Sequence, residues 1–567
     1  MSRENFSEWS KQDLIDEVKK LKKRKKYGIV WEDKPEKVVT ECKKKIPILK
    51  EDINRKIEKN KDGPVNILIE GDNYHALTVL NYTHKEKIDV IYIDPPYNTG
   101  AKTWKYNNDY VDGEDAFRHS KWLSFMEKRL KLSKNLLKND GIICLTIDEN
   151  EQAQLKLLCD EIFGEYNYLG TICIRNNPSG RTRKSEISLQ HEYAIFYSKN
   201  KNIKGISPFY VSPDNKTHNY KQDENGKWYE KRNLRRGRKK EERPKRYFPI
   251  FVNPKSLQIS ITNKPQLIEI LPVNDSGHQL TWDREKEKIE ELYRKGEIWA
   301  EKIKKGYQIF FKFRPNFELG ESPKSLWIDP KYSSREHGIR ILKDLFGESP
   351  FEYPKSLYAV IDCITSMNCN KEITVLDFFA GSGTTAHAVL ELNERDEGKR
   401  RFIICTNNEN KICEEICYPR VKKVIEGYKN LKGEKIEGLK SNLSYYKTDF
   451  VETENLDEAP DEDKINLTYK AGEMIAIRED TLEEKEKNDW WQIFESKQKL
   501  IAIYFQEDKS KLQSLVEKLG NFDKEVVLYI FSWGKNEYAN EFTEYENITV
   551  KDIPEPLIEV YKEVAKL

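Results

Sequence analysis

The segment Asp94-Pro95-Pro96-Tyr97 has the residue types and spacing that most clearly indicate chemistry. It follows an apolar run, 88–93, that predicts a buried strand, and parallel sheets carry reactive groups beyond the carboxyl ends of their strands. The Asp94 carboxylate and a rigid proline carbonyl, for which we favour Pro95, offer two adjacent acceptors that can activate an aromatic amine. Tyr97 offers a ring on which an extruded base can stack. The alternative is an ordinary strand-ending turn, since Asp-Pro-Pro is also favoured in turns.

A second segment, 377–386, joins an aromatic pair to closely spaced glycines. It follows the apolar run 373–376, and Gly381-Ser382-Gly383-Thr384-Thr385-Ala386 fits the G-x-G-x-x-A pattern of nucleotide-like ligands. A phosphate-binding P-loop would need a lysine where the two threonines stand, which argues against hydrolysis of nucleoside triphosphates. A dinucleotide also fits the glycines, but the aromatic pair and the distant Asp-Pro-Pro-Tyr favour S-adenosylmethionine as the cofactor.

The two segments together resemble the amino-methyltransferases of DNA, in the group whose catalytic motif precedes the cofactor motif. Within that group the chain is similar to the modification subunits of type III restriction-modification systems. The resemblance covers roughly residues 1–450, and the segments that carry it are 23–32, 69–73, 94–100 and 377–389.

The resemblance implies transfer of a methyl group from S-adenosylmethionine to the N6 amine of a flipped adenine in double-stranded DNA. It assigns the target-adenine site to Asp94, Pro95, Pro96 and Tyr97. It assigns the cofactor site to Asp72, Lys355, Asp377, Phe379, Gly381, Gly383 and Glu409. Asp72 would face the cofactor's adenine, and Lys355 would lie beside its methionine end. For the ribose hydroxyls Asn407 and Asn408 compete with Glu409, which we favour for its charge. Tyr193 matches a position near the flipped base, although a plain core tyrosine is an equal alternative.

The resemblance also implies a homodimer and a restriction (helicase-nuclease) subunit as partner, and no metal is required. Two rival interpretations remain open. The chain can be mainly a sequence-reading subunit that delivers a partner nuclease, or it can methylate cytosine N4 or an RNA amine. An aspartate rather than a serine before Pro-Pro-Tyr favours adenine.

The charge is unevenly distributed along the chain. Residues 175–250 contain 20 lysines and arginines against 8 acidic residues, whereas residues 451–567 contain 15 against 28. The basic region therefore suits DNA phosphates, with candidate contacts at Arg235, Arg236, Arg238, Lys239 and Lys240. A charge run of this kind is often only a solvated face, but the nearby aromatic residues Trp228, Tyr247 and Phe248 favour nucleic acid.

The pattern of apolar runs predicts a doubly wound α/β fold with a large insertion. The family implies a mostly parallel, seven-stranded sheet with a reversed last strand. We predict a basic helical arm at 1–60, a catalytic half at 61–199, a target-recognition insertion at 200–345, a cofactor half at 346–450 and an acidic α/β interaction module at 451–567. Strands are predicted at 65–69, 88–93, 142–147 and 193–197, and a helix at 115–138.

Composition restricts the remaining classes. No apolar run approaches the roughly 18 residues of a membrane span, and the charged start is unlike a secretory signal. The 9 cysteines are scattered without a disulfide framework or zinc-ligand spacing. We therefore expect a cytoplasmic protein with reduced thiols, no membrane association and no metal.

Overall fold

A computed structural model describes residues 10–12, 15, 29–42, 44–107, 109–180, 187–208, 220–314, 322–452, 461–533, 537–538 and 540–565. The chain forms two compact units: unit 1 comprises Met1–Ser207 with Pro323–Leu567, and unit 2 comprises Pro208–Ser322. Residues 1–9, 13–14 and 16–28 of the predicted basic arm, and residues 453–460 of the predicted acidic module, lie outside the described residues. Within the described ranges, every helix is too short or too polar to span a bilayer.

Unit 1 is organised around an 11-stranded sheet. Ile57–Glu58 pairs beside one edge, and the other strands follow in the spatial order Lys45–Glu51, Asn442–Glu452, Val65–Glu70, Arg401–Thr406, Thr374–Asp377, Ile88–Ile93, Leu137–Ile147, Glu192–Ser198, Tyr168–Ile174 and Leu326–Trp327. The run from Asn442–Glu452 to Leu137–Ile147 is parallel, whereas Glu192–Ser198 is antiparallel to both its neighbours. The doubly wound, mostly parallel fold with a reversed strand after Leu137–Ile147 is thus confirmed. Further strands at the edges extend the predicted seven, and two of them, Lys45–Glu51 and Ile57–Glu58, are also antiparallel to their neighbour Asn442–Glu452.

The central strands are buried on both faces, which explains their continuous apolar sequences. All six residues of Ile88–Ile93 are buried. The covering helices are Asn73–Thr83, Arg118–Leu136, Gln152–Cys159, Leu357–Met367, Thr384–Asp396 and Tyr418–Glu426. The helix predicted at 115–138 is found as Arg118–Leu136, with Trp122, Met126 and Leu130 buried, and Leu137 already begins the next strand.

The two sequence segments meet where the winding of the sheet changes direction. Thr374–Asp377 pairs with Ile88–Ile93, with Leu376 opposite Ile91. From the first strand the chain passes to Arg401–Thr406 on one side, and from the second to Leu137–Ile147 on the other. Crevices at such switch points are the usual ligand sites of open α/β sheets. Parallel pairing thereby brings Asp377 and Asp94 to one edge of the sheet despite their distance in sequence.

The carboxyl-terminal region contains a mixed five-stranded sheet. Its strands are Glu483–Lys487, Trp491–Glu495, Lys499–Tyr504, Glu525–Phe531 and Ile548–Ile553, and its helices are Asp461–Lys470, Gly472–Glu479, Leu512–Gly520 and Glu555–Ala565. The region belongs to unit 1, and the Tyr561 hydroxyl donates to the Pro47 carbonyl at 2.5 Å. Apolar residues of this region, such as Met474 and Leu557, belong to the same hydrophobic core as residues of the large sheet. The part of the predicted interaction module that carries them therefore packs against the rest of unit 1.

Unit 2 has small antiparallel sheets around a separate core. Its strands are Tyr220–Gln222, Trp228–Asn233, Arg235–Lys239, Ile250–Val252, Ile259–Ser260, Ile268–Ile270, Leu280–Trp282, Ile298–Ile303 and Gly306–Phe313, and its helix is Lys286–Arg294. The core includes Leu234, Ile250, Trp282 and Phe311. The predicted insertion, 200–345, extends beyond this unit because Leu326–Trp327 returns to pair with Tyr168–Ile174.

Candidate active site

Asp94 lies directly beyond the strand Ile88–Ile93, with its carboxylate partly exposed. The Thr146 hydroxyl, on the neighbouring strand, donates to Asp94 Oδ1 at 2.8 Å. Lys355 Nζ lies 3.1 Å from the same oxygen. These two contacts fix the direction of the carboxylate at the mouth of the crevice.

The two prolines present their carbonyls differently. The indole N–H of Trp122, which is fully buried, donates to the Pro96 carbonyl at 2.7 Å. Because that carbonyl already accepts a hydrogen bond, the Pro95 carbonyl remains the predicted second acceptor beside Asp94.

Lys355 and Glu192 complete a charged cluster around Asp94. Lys355 Nζ lies 2.6 Å from Glu192 Oε2 and also contacts the Tyr97 hydroxyl. Glu192 is only 2% exposed and accepts from the Tyr97 hydroxyl at 3.0 Å. The sequence prediction missed Glu192, although an acidic residue that begins an apolar strand was a usable signal. Lys355 was predicted beside the methionine end of the cofactor, and its ammonium group contacts Asp94, Glu192 and Tyr97.

Burial and charge act in opposite directions in this cluster. Burial raises the pKa of Asp94, and the nearby Lys355 ammonium offsets only part of that rise. Burial would lower the pKa of Lys355, but the charges of Asp94 and Glu192 raise it above its usual value. One ammonium group therefore serves two carboxylates, and its charge favours the ionised form of Asp94.

Tyr97 is held rigidly, whereas Tyr193 points elsewhere. The Tyr97 hydroxyl is bound by Glu192 and Lys355, and Lys355 Nζ lies 4.5 Å from the ring centroid. Tyr193 follows Glu192 on the same strand, so its side chain leaves from the opposite face. Its hydroxyl lies 3.0 Å from His191 Nε2. The structure thus does not bring Tyr193 to Tyr97, and Tyr193 as a second wall of the base slot remains an unsupported prediction.

Asp377 positions the turn at residues 378–383, the glycine turn, which precedes the helix Thr384–Asp396. It is 2% exposed, and its carboxylate accepts from the Phe379 backbone N–H at 2.8 Å and the Thr385 hydroxyl at 2.5 Å. Burial raises the pKa of Asp377 to about 7. These contacts give Asp377 a positioning role in the turn that precedes the helix Thr384–Asp396.

Asp72 lies at the same edge of the sheet, two strands away. It caps the helix Asn73–Thr83 by accepting from the Tyr74 N–H at 2.7 Å. The neighbouring Asn73 side chain donates to the Phe378 carbonyl at 3.0 Å, which ties this cap to the glycine turn. The predicted residues Asp72 and Phe379 therefore border one crevice.

The position of Glu409 leaves open whether it binds the ribose hydroxyls of the cofactor, as predicted. The Asn407 side chain accepts from the Glu409 N–H at 3.3 Å, and the Asn408 side chain accepts from the Glu414 N–H at 3.2 Å. Both competing amide oxygens thus cap backbone groups beyond the strand Arg401–Thr406. Glu409 is half-buried and remains the predicted ribose ligand.

A buried carboxyl group supports the loop after Tyr97. Glu151 is fully buried, and its Oε1 lies 2.5 Å from the Asn98 amide nitrogen and 2.6 Å from His119 Nδ1. Asn98 has a positive φ of 53°, so this contact holds a left-handed residue in place. Burial raises the pKa of Glu151 to about 8.

We expect Glu151→Gln to change how stability depends on pH. The folded protein keeps the Glu151 proton that the unfolded chain releases near pH 4.5. The contribution of Glu151 to the free energy of unfolding is therefore complete below that pH and is lost as pH rises toward about 8. The variant lacks this loss, which is on the order of a few kcal/mol. Thermal unfolding between pH 5 and pH 8.5 would test this, with the exposed neighbour Glu149→Gln as control. Parallel pH profiles for wild type and Glu151→Gln would contradict the prediction.

The predicted DNA contacts in unit 2 fall into two groups. Arg235 donates to the Val273 carbonyl, Arg236 pairs with Asp283 at 2.7 Å, and Lys240 donates to Gln279 at 3.2 Å. The side chains of Arg238 and Lys239 are exposed. Three of the five predicted residues thus make contacts within unit 2, and the other two are exposed to solvent. The DNA contacts remain a prediction for all five.

Comparisons with known proteins bear on the family to which the chain belongs. The family model described as DNA methylase, for N6 and N4 methyltransferases, matches residues 88–417. The chain is 36% identical over 387 residues to the type III restriction-modification enzyme EcoPI Mod subunit of Escherichia phage P1, covering 62% of this chain and 59% of that protein. It is 33% identical over 342 residues to the type II methyltransferase M.KpnI of Klebsiella pneumoniae, covering 60% of this chain and 79% of that one.

A solved structure, the M1.HpyAVI–SAM complex, covers 63% of this chain and 98% of its own, with 14% identity and a TM-score of 0.28. The chain spans about three fifths of the length of the EcoPI subunit. The family model includes both Asp94 and the glycine turn and matches more than half of the residues. The chain therefore belongs to the N6/N4 DNA methylase family.

Proposed function

We propose that this protein transfers a methyl group from S-adenosylmethionine to the N6 amine of an adenine flipped out of double-stranded DNA. The observation that supports this most directly is the adjacency of Asp94 and the glycine turn at neighbouring strand ends. A base amine held at Asp94 and a cofactor held at the turn would share one crevice.

The site residues act on the amine. Asp94 and the Pro95 carbonyl accept its two hydrogens, which localises the nitrogen lone pair toward the methyl donor. Tyr97, with its hydroxyl anchored by Glu192 and Lys355, provides a fixed ring for stacking, worth roughly 1–3 kcal/mol per base. Asp94 or water takes the proton after transfer.

The glycine turn suits the cofactor. Gly381 and Gly383 have φ values of 50° and 78°, which let the backbone turn tightly at the start of a helix. Asp72, Phe379 and Glu409 would hold the adenosine part beside this turn. When bound, S-adenosylmethionine supplies an electrophilic methyl group on a sulfonium.

The base, the biological setting and the partners are inferred from sequence. The Asp-Pro-Pro-Tyr motif favours adenine over cytosine N4. Several of the similar proteins are Mod subunits of type III restriction-modification enzymes, and the chain's likeness to them supports the role of a modification subunit. A restriction subunit as partner and a homodimeric state belong to the same proposal, as does a cytoplasmic location.

Expression in a host without related methyltransferases tests the function directly. Sequencing that detects modified bases should find N6-methyladenine at one sequence motif, at nearly every copy, and none in a host that expresses Asp94→Ala. N4-methylcytosine at that motif would contradict the choice of adenine. Unmodified DNA, with active enzyme purified from the same cells methylating RNA, would overturn the choice of DNA.

A further inference from the structure

A cleft in unit 2 concentrates positive charge. It has a volume of about 440 Å³ and is lined by Arg236, Gly237, Arg238, Arg243, Arg246, Thr281, Trp282 and Asp283. The lining includes four guanidinium groups and one carboxylate. A cleft with such an excess of positive charge attracts an anion.

Asp283 orders one side of the cleft. Arg236 Nε lies 2.7 Å from Asp283 Oδ1, and Arg246 donates to the Asp283 carbonyl at 2.8 Å. Arg284 lies 3.2 Å from the second carboxylate oxygen. Asp283 is 9% exposed, so this carboxylate is committed to fixing its neighbours.

Arg238 and Arg243 form the other side. Across the part of the chain that the structure describes, neither guanidinium makes a hydrogen bond or ion pair. The strand Arg235–Lys239 has a register shift between Arg236 and Lys239, opposite Leu280–Trp282. Such irregularities redirect side chains, here that of Arg238 into the cleft, where the Gly237 backbone also forms part of the lining.

The chemistry of the lining favours a phosphate over a base edge. The floor residue Trp282 is 2% exposed and its indole N–H donates to the Phe248 carbonyl, so it offers no polar group. Apart from Thr281 and Asp283, which are 1% and 9% exposed, the other polar side chains of the lining are guanidinium donors. A base edge is uncharged, whereas a phosphate carries a full negative charge and accepts hydrogen bonds only, so it suits several converging guanidinium groups better.

We propose that this cleft binds a backbone phosphate of the DNA substrate, with Arg238 and Arg243 as direct contacts and Arg236 and Arg246 as oriented support. The proposal rests on the proposed function for the identity of the substrate. Arg243 and Arg246 were not among the sequence-predicted contacts, since neither belongs to the densest part of the basic run.

Duplex binding over a range of salt concentrations tests the cleft. Arg238→Gln and Arg243→Gln should each weaken binding about tenfold. The loss should be equal for a duplex containing the methylation motif and for a scrambled duplex. Each variant should also reduce the slope of log K against log salt by about one. Arg294→Gln is the matched control, because Arg294 is exposed on a helix of unit 2 and paired with Glu290. It should leave the affinity and the slope close to those of wild type.

The outcomes separate the cleft from the proposed function. Loss confined to the motif duplex would assign the arginines to base reading and overturn the phosphate contact, as would an unchanged salt slope. Tighter binding of wild type to an RNA duplex than to DNA would overturn the choice of ligand. Failure of the wild-type enzyme to methylate any DNA would instead contradict the proposed function, because the binding measurement does not require methyl transfer.

Discussion

Asp94→Ala is expected to reduce methyl transfer at least about a thousandfold while DNA and cofactor binding change little. The carboxylate matters most as positive charge develops on the amine nitrogen, so its loss should affect the rate of the chemical step more than ground-state binding. The fold should tolerate the change, because Lys355 keeps its contact with Glu192 at 2.6 Å. Single-turnover rates at saturating DNA and cofactor measure the effect without a contribution from binding.

Asp89→Asn provides a control on the same strand. Asp89 lies near the amino end of Ile88–Ile93, where its carboxylate accepts from the Thr374 N–H and pairs with Lys138, each at 2.8 Å. This variant should lose stability but retain the rate constant per folded molecule. Retained turnover in Asp94→Ala would remove Asp94 from the mechanism, and an equal loss in Asp89→Asn would indicate damage to the sheet.

The pH dependence of the same rate follows from the ionisation of Asp94. Protonated Asp94 is neutral and a weaker acceptor that cannot balance the positive charge developing on the amine nitrogen, so the rate should fall as pH decreases through its pKa. Because burial raises that pKa, the fall should begin at a higher pH than for an exposed aspartate.

The sequence was most informative where both faces of a strand are buried. The run 88–93 is found as Ile88–Ile93, and the other three predicted strands are found with extensions of one to five residues. Continuous apolar sequence leaves few alternatives there, and the following Asp94 therefore has a fixed position.

The parts that could not be predicted depend on contacts distant in sequence. Glu192 and Lys355 are 163 residues apart, and no local pattern indicates that one ammonium group would serve both Glu192 and Asp94. Many strands of unit 2 have only two or three residues, too few to show a pattern in the sequence. The end of the insertion is therefore visible only in the structure, where Leu326–Trp327 pairs with Tyr168–Ile174 of the large sheet. The carboxyl-terminal helices carry apolar faces that a sequence cannot distinguish from a partner surface.

Gly381→Val is expected to weaken S-adenosylmethionine binding at least about tenfold, because the turn needs both a left-handed backbone and close approach of the cofactor. Gly381 has φ 50°, and a Cβ there would lie 3.4 Å from Phe351 Cζ. A valine adds further atoms beyond that Cβ and a conformational cost on the order of 1–2 kcal/mol.

Gly347→Val separates backbone strain from loss of the site. Gly347 has φ 87° at the end of the helix Arg340–Phe346, and an added Cβ would meet no atom within 4 Å. Both variants should be destabilised by similar backbone strain, but only Gly381→Val should lose cofactor affinity in titration calorimetry. Unaltered affinity in Gly381→Val would contradict the assignment of the turn to the cofactor. Equal losses in both variants would mean that strain anywhere in unit 1 weakens binding, and the turn would then have no special role.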